Sequence, residues 1–117
     1  MVEPILKWAG GKRQLLSEIT GLFPMSYESY HEPFIGGGAI FFHLAPDAGT
    51  INDLNERLTT FYEVVRDHPD ALIAENKTHE YAEEYFYEAR SEFNEFLSKP
   101  TMTSEDRIRE ASLLLYL

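Results

Sequence analysis

Cysteine is absent from the 117-residue sequence, and so is any long apolar run. Without thiols there is no disulfide framework and no thiolate metal site. No stretch approaches the roughly 18 to 20 apolar residues that cross a bilayer. Lys7, Lys12 and Arg13 interrupt the one region that could serve as a signal peptide. These absences predict a cytoplasmic protein with no membrane partner and no metal.

Basic residues are also scarce, with ten against twenty acidic residues and a net charge of −10. Residues 51–117 carry 15 of the acids, whereas duplex DNA is normally gripped by lysine and arginine. We therefore do not expect this part of the chain to bind phosphates. Its acidic residues fit the solvent-exposed face of a helix. The low number of lysines, four, also permits a salt-adapted source. The length suits one globular domain but is short for a complete enzyme with a macromolecular substrate.

Hydrophobic periodicity predicts two short strands among several helices. The strands cover 28–35 and 50–53. The helices cover 12–22, 38–45, 55–67, 69–77 and 80–98. A last helix is capped by Thr103 or Ser104, and its apolar period is still in phase at Leu117. In the longest helix, core residues recur at every fourth position, namely Tyr81, Tyr85, Ala89, Phe93 and Leu97. This order predicts the beginning of an α/β layer whose remaining strands are missing.

The segment Lys7-Trp8-Ala9-Gly10-Gly11-Lys12 contains a Gly-Lys pair like that of a phosphate-binding P-loop. A P-loop also needs glycine at position 6 and serine or threonine at position 13, where this chain has Leu6 and Arg13. A P-loop is therefore excluded. An aromatic ring, an exposed glycine backbone and a positive charge remain, and they suit a ligand carboxylate held by Lys12. An ordinary helix-initiating loop with a surface lysine fits the same residues.

Three consecutive glycines, Gly36 to Gly38, follow Phe34-Ile35 and precede a predicted helix. Glycine permits positive φ and lets a ligand approach the backbone N–H groups of a helix N-terminus. The third glycine of the dinucleotide-binding fingerprint would fall at Phe41. The turn therefore matches a nucleoside site without phosphate better than a pyrophosphate site, although a simple tight turn has the same pattern.

Asn52-Asp53-Leu54-Asn55 ends the second predicted strand. Asp53 follows Gly36 by 17 residues, near the spacing of about 20 at which an acidic residue reaches ribose hydroxyls. A carboxylate there accepts two hydrogen bonds from a cis-diol. Alternatively, Asp53 or Asn55 only caps the helix that follows.

Together, these motifs resemble those of the Dam-type (D12 class) DNA adenine N6-methyltransferases, from Leu6 to the end of the chain. Lys7–Lys12 is similar to that family's N-terminal cofactor motif, Glu32–Ala39 to its glycine motif and Asn52–Asn55 to its acidic motif. The resemblance implies the N-terminal part of a Rossmann-like, S-adenosylmethionine-dependent α/β fold, helix-rich in its second half and with an incomplete sheet.

By this resemblance, Trp8 and Lys12 hold the methionine end of S-adenosylmethionine, Gly36–Gly38 and Phe34 line the cofactor, and Asp53 binds the ribose. The whole set of implied cofactor residues is Trp8, Ala9, Gly10, Gly11, Lys12, Glu32, Pro33, Phe34, Gly36, Gly37, Gly38 and Asp53. The family's Asp-Pro-Pro-Tyr motif, which acts on an adenine flipped out of the duplex, does not occur in these 117 residues. Catalytic residues and the DNA-recognition domain are therefore expected beyond Leu117.

The expected organisation is a cofactor-binding α/β segment, 1–67, and a helical segment, 68–117, that leads toward a recognition domain absent from this chain. The expected function is S-adenosylmethionine binding in a methyltransferase that acts on N6 of adenine in a specific duplex sequence, with double-stranded DNA bound by the complete protein. The chain alone is expected to be catalytically incomplete. Two alternatives stay open: a nicotinamide-dinucleotide oxidoreductase domain, and a non-catalytic remnant that serves as an interaction module.

Overall fold

Two short parallel strands lie at the centre of the first part of the chain. In the computed structural model, which describes residues 4–8 and 12–117, strand β1 is Tyr30–Glu32 and strand β2 is Gly49–Ile51. Tyr30 pairs with Gly49, and Glu32 pairs with Ile51. Both strands are shorter than predicted. Strand β1 ends before Pro33, which has no N–H to donate to the ladder.

The chain divides into two units, Met1–Leu54 and Asn55–Leu117. The helix over 56–67, which the sequence groups with the cofactor-binding segment 1–67, belongs to the second unit and packs there against the last helix. The predicted boundary between residues 67 and 68 separates a cofactor-binding segment from a helical segment. This functional division stays a prediction.

The helices of the first unit are short. A 3₁₀ turn, Lys12–Leu15, runs into helix α1, Leu16–Thr20. Helix α2, Ala39–Leu44, follows the glycine turn (Gly36–Gly38) and packs against the 3₁₀ turn and α1. The apolar face predicted over 12–22 is wrong at its two ends, since Leu15 and Leu22 are 49% and 87% exposed. Leu15 lies in the 3₁₀ turn, whose three residues per turn break the 3.6-residue period of the predicted face. Leu22 lies beyond the end of α1.

Four helices build the second unit: α3, Glu56–Asp67; α4, Pro69–Asn76; α5, Glu83–Glu95; and α6, Ser104–Tyr116. A 3₁₀ turn, Phe96–Ser98, extends α5. Helix α6 packs against each of the other three helices, and Leu58, Phe61 and Leu113 are fully buried. As predicted, Pro69 opens α4, and Thr103 caps α6 in a reciprocal capping box with Asp106.

The predicted core stripe of the longest helix is right in its middle and wrong at its ends. Ala89 is buried, and Tyr85 and Phe93 pack against the same cluster. Tyr81 is fully exposed and Leu97 is 72% exposed. Tyr81 precedes the helix and Leu97 lies in the 3₁₀ turn, so neither continues the α-helical period.

Over the part of the chain that the structure describes, no helix is long and apolar enough to cross a membrane. Within the same residues, no group of three or more histidine, cysteine, aspartate and glutamate side chains is placed to hold a metal ion.

Candidate functional site

The carboxyl end of β1 leads directly into the glycine turn. Ile35 is buried and its N–H donates to the Asn52 carbonyl at 2.9 Å, which ties the start of the turn to the end of β2. Gly36 and Gly38 have φ values of 54° and 83°, a region that side chains with a Cβ rarely adopt. The predicted need for glycine at these two positions is therefore confirmed.

Gly37 serves a different purpose in the same turn. A Cβ at this position would lie 3.0 Å from the Trp8 Cβ and 3.3 Å from the Leu6 carbonyl oxygen. A Cβ on Gly36 would lie 3.5 Å from Cδ1 of the Trp8 ring. The glycine turn and the first predicted motif are thus in direct contact at Trp8.

The carboxylate of Glu32, at the end of β1, is buried and bonded through both oxygens. Oε1 accepts from the Lys12 ammonium at 3.1 Å, and Oε2 accepts from the Tyr30 hydroxyl at 2.7 Å. The Lys12 ammonium also donates to the Phe34 carbonyl at 2.8 Å. A buried carboxylate needs such partners, because an unpaired charge away from water is very costly. Lys12 therefore fastens the N-terminal motif to the beginning of the glycine turn.

Asp53 lies just beyond β2 and reaches the glycine turn. Its Oδ2 accepts from the Gly36 N–H at 3.0 Å. The helix-cap alternative is confirmed for Asn55, whose side chain accepts from the Arg57 N–H at 3.0 Å and which is the N-cap of α3. The acidic motif thus contains one residue that bonds to the turn and one that begins a helix.

The described members of the predicted set lie together in the first unit. Contacts join Gly36 and Gly37 to Trp8, Gly36 to Asp53, and Lys12 to Glu32 and Phe34, and Gly38 continues the same turn. Phe34 is 60% exposed, so an apolar ring is presented beside the turn. Pro33 is exposed next to it. Ala9, Gly10 and Gly11 lie outside the described residues.

Sequence reasoning missed Tyr30 and the pairing of Glu32 with Lys12. The available signal was the alternation of β1, which places Tyr30 and Glu32 on one face of the strand. A buried acid on that face required a donor, and a tyrosine two residues away is within reach. The position of Lys12, 20 residues upstream, carried no comparable signal.

The arrangement is suited to binding. Parallel strands end at the turn, and ligands of open α/β sheets bind outside the carboxyl ends of the strands. The turn offers a backbone without side chains and an exposed aromatic ring. Among the described side chains that bond at the turn, the formal charges are one cation, Lys12, and two carboxylates, Glu32 and Asp53, so this group has a small excess of negative charge.

Comparison with known proteins identifies the family. The family model of the D12 class N6 adenine-specific DNA methyltransferases matches residues 8–117. The chain belongs to this family. The match confirms the resemblance inferred from the motifs and does not favour the oxidoreductase or the interaction module.

Individual relatives agree with the family. A type II methyltransferase of Lactococcus lactis subsp. cremoris is 47% identical over 92 residues, which cover 77% of this chain and 32% of that protein. A DNA adenine methylase of Serratia marcescens is 36% identical over 117 residues, covering 96% and 40%. A type II methyltransferase of Methanocaldococcus jannaschii is 38% identical over 111 residues, covering 80% and 38%. The chain spans about a third to two fifths of the length of these relatives.

Proposed function

We propose that the protein to which this chain belongs transfers a methyl group from S-adenosylmethionine to N6 of adenine in a specific sequence of double-stranded DNA. In this proposal, the glycine turn and the residues around it form part of the cofactor site, and the two strands belong to a Rossmann-like sheet. One observation carries the proposal: in a member of this family, Lys12 and Asp53 both bond to the turn that leaves the first strand.

The charge of the turn supports this cofactor over a dinucleotide. A pyrophosphate is doubly anionic and would face the carboxylates of Glu32 and Asp53, against one cation, Lys12, among the described side chains bonded at the turn. S-adenosylmethionine has no phosphate, and it carries a positive sulfonium and a positive amino group. A site with a small excess of negative charge therefore suits it better.

The hydrogen-bonding capacity and the apolar surface of the site residues also fit this cofactor. Asp53 has two oxygens with room for about four hydrogen bonds, so its bond to Gly36 is compatible with accepting from ribose hydroxyls. The exposed ring of Phe34 can cover an apolar or aromatic surface of a ligand. Lys12 has three N–H donors. Two of them donate to the Glu32 carboxylate and to the Phe34 carbonyl. A third donor suits the carboxylate of the methionine end.

The cofactor, when bound, supplies an electrophilic methyl group on its sulfonium. The residues of this chain bind and orient it: Trp8 and Lys12 at the methionine end, Phe34 and the glycines along its length, and Asp53 at the ribose. Glu32 and Pro33 complete the proposed set together with Ala9, Gly10 and Gly11, which lie outside the described residues. A chain of net charge −10 is not expected to grip the duplex, so we assign DNA contact to the complete protein.

Trp8 provides the direct test because it is the only tryptophan. We expect its fluorescence to change on titration with S-adenosylmethionine and to be unaffected by NAD⁺, since Trp8 contacts the turn. Calorimetry with the same two ligands measures the affinities without relying on the fluorescence of Trp8. Binding of NAD⁺ alone would contradict the proposal, and binding of neither ligand would show that this chain lacks a sufficient site.

The role of Lys12 is tested by removing its charge. Lys12→Ala should weaken S-adenosylmethionine more than adenosine, because adenosine has no carboxylate for the ammonium to bind. Lys7→Ala, which removes an exposed lysine from the same motif, is the matched control and should change neither affinity. Equal losses for both ligands would mean that Lys12 only fastens the turn.

A further inference from the structure

Tyr30 lies behind the proposed site and has no role in the proposal above. It is the first residue of β1, and Glu32 is the last. Side chains two positions apart on a strand point to the same face, and here they meet: the Tyr30 hydroxyl donates to Oε2 of Glu32 at 2.7 Å.

That bond determines how the Glu32 carboxylate is turned. The terminal torsion of a glutamate has broad minima, so a single partner fixes the plane of the carboxylate less well than two partners do. With Oε2 held by Tyr30, Oε1 faces Lys12 at 3.1 Å. Lys12 in turn reaches the Phe34 carbonyl at 2.8 Å. Three side chains therefore form one hydrogen-bonded series that ends at the glycine turn.

We propose that Tyr30 is a positioning residue for the cofactor: through Glu32, its hydroxyl fixes the Lys12 ammonium at the methionine end of the site. This inference rests on the proposed function, in which Lys12 binds the cofactor carboxylate. The Tyr30 hydroxyl bonds to Glu32, so it acts on the cofactor through Glu32 and Lys12. Its contribution is to hold the Glu32 carboxylate in place and in the plane in which its other oxygen accepts from Lys12.

The environment of Tyr30 keeps the hydroxyl protonated, as a donor must be. Burial raises the pKa of Tyr30 above its ordinary value, and the hydrogen bond to Glu32 and the charge of that carboxylate raise it further. The donor is therefore present at every pH at which binding would be measured.

Tyr30→Phe tests the inference because it removes only the hydroxyl. In the full chain, we expect S-adenosylmethionine to bind about 3- to 10-fold more weakly, since a hydrogen bond to a charged group is lost from the support of Lys12. Adenosine should bind within about twofold of its original affinity. Tyr27→Phe is the matched control, because it removes a hydroxyl from a half-exposed tyrosine of the same unit; we expect it to change neither affinity.

A double-mutant cycle separates positioning from general loosening of the fold. If Tyr30 acts through Lys12, then Tyr30→Phe should have no further effect on S-adenosylmethionine affinity in a Lys12→Ala chain. Additive losses, or equal losses for S-adenosylmethionine and adenosine, would overturn the inference. Thermal unfolding of each variant establishes that it is folded.

A measurement without ligand distinguishes this inference from the proposed function. The chain has four lysines, so the ammonium resonance of Lys12 can be assigned in ¹⁵N-labelled protein by its loss in Lys12→Arg. Hydrogen bonding slows the exchange of ammonium protons with water. We expect the resonance to weaken or vanish in Tyr30→Phe and to persist in Tyr27→Phe. Persistence in Tyr30→Phe overturns positioning, whereas absence of S-adenosylmethionine binding by the unmodified chain overturns the placing of a sufficient cofactor site in this chain.

Discussion

At the scale of single residues, Asp53 combines an observed contact with a proposed task. Its carboxylate accepts from the Gly36 N–H, which holds the glycine turn against the end of β2. In the proposed function, the same carboxylate binds the ribose hydroxyls. These two tasks can be separated, because an amide oxygen can still accept from Gly36 but carries no charge.

We expect Asp53→Ala to weaken S-adenosylmethionine binding by about 1–3 kcal/mol, since the ribose hydroxyls would lose a charged partner. Asp53→Asn should cost less, because the asparagine oxygen keeps the bond to Gly36. Calorimetry on both variants measures the two losses, with Asp47→Ala in the exposed turn before β2 as control. Unchanged affinity in a folded Asp53→Ala chain would mean that Asp53 only holds the turn.

The residues of the site differ in how far the sequence could predict them. The positive φ values of Gly36 and Gly38 follow from a run of three glycines between a strand and a helix. The bond between Lys12 and Glu32 does not follow, because it joins residues 20 positions apart and depends on where the N-terminal segment crosses the strand end. The motifs therefore predicted residues that the structure brings together around the turn, but not which of them bond to one another.

At the scale of elements, the parallel pair depends on a glycine that no motif includes. Gly49 begins β2 opposite Tyr30, and a Cβ at this position would overlap the Tyr30 backbone carbonyl. Backbone cannot move aside as the end of a long side chain can. The approach of the two strands therefore requires glycine at position 49.

Gly49→Ala and Gly21→Ala should have opposite effects on stability. We expect Gly49→Ala to lower the free energy of unfolding by about 1–3 kcal/mol, as overpacking does. Gly21 ends α1 in a right-handed helical conformation, and a Cβ there would make only ordinary contacts, the nearest at 3.8 Å. Gly21→Ala should raise stability by about 0.4–1 kcal/mol, because it restricts the unfolded chain. Urea unfolding measures both, and equal effects would contradict the steric reason.

Helix ends were predictable where the capping chemistry is local. Thr103 and Asp106 are three residues apart and bond reciprocally, and Pro69 suits a first helical turn. The ends of α5 were not predictable from its apolar period, because Tyr81 and Leu97 continue the spacing in sequence while the backbone has left the α-helix. Periodicity predicts which residues would share a face, but not how far the helix extends.

At the scale of the whole molecule, the charges of the second unit are not merely a solvated face. Arg109 joins three elements: its guanidinium donates to Glu92 of α5 at 2.7 Å and to Glu75 of α4 at 2.9 Å. The bond to Arg109 lowers the pKa of Glu92. Glu110, buried on α6, lies 3.4 Å from Arg57, and burial raises the pKa of Glu110 despite that pair. The contribution of Glu92 to stability is therefore lost as pH falls, whereas the contribution of Glu110 is lost as pH rises.

His79 is half-buried among these groups. Its ring nitrogens lie 2.6 Å from the Tyr85 hydroxyl and 2.7 Å from the Ser112 hydroxyl, and its ring stacks on Tyr116. Burial lowers the pKa of His79, and the nearby charge of Arg109 lowers it further, against smaller opposing effects of Ser112, Glu75 and Glu92. The folded chain therefore takes up this proton at lower pH than the unfolded chain does.

The pH dependence of unfolding tests this balance. Because the unfolded histidine binds its proton near pH 6.5, the contribution of His79 is fully present above that pH and is lost as pH falls through the lower, folded pKa. We expect stability to fall from pH 7.5 to 5.5 less steeply in His79→Gln than in the unmodified chain, by at most about 1.4 kcal/mol per pH unit for one proton. Glu110 contributes in the opposite direction but is common to both chains, so their difference isolates His79. Urea unfolding across this range measures the slopes, with the exposed His68→Gln as control, and a slope unchanged by His79→Gln would show that the ring is not held neutral in the fold.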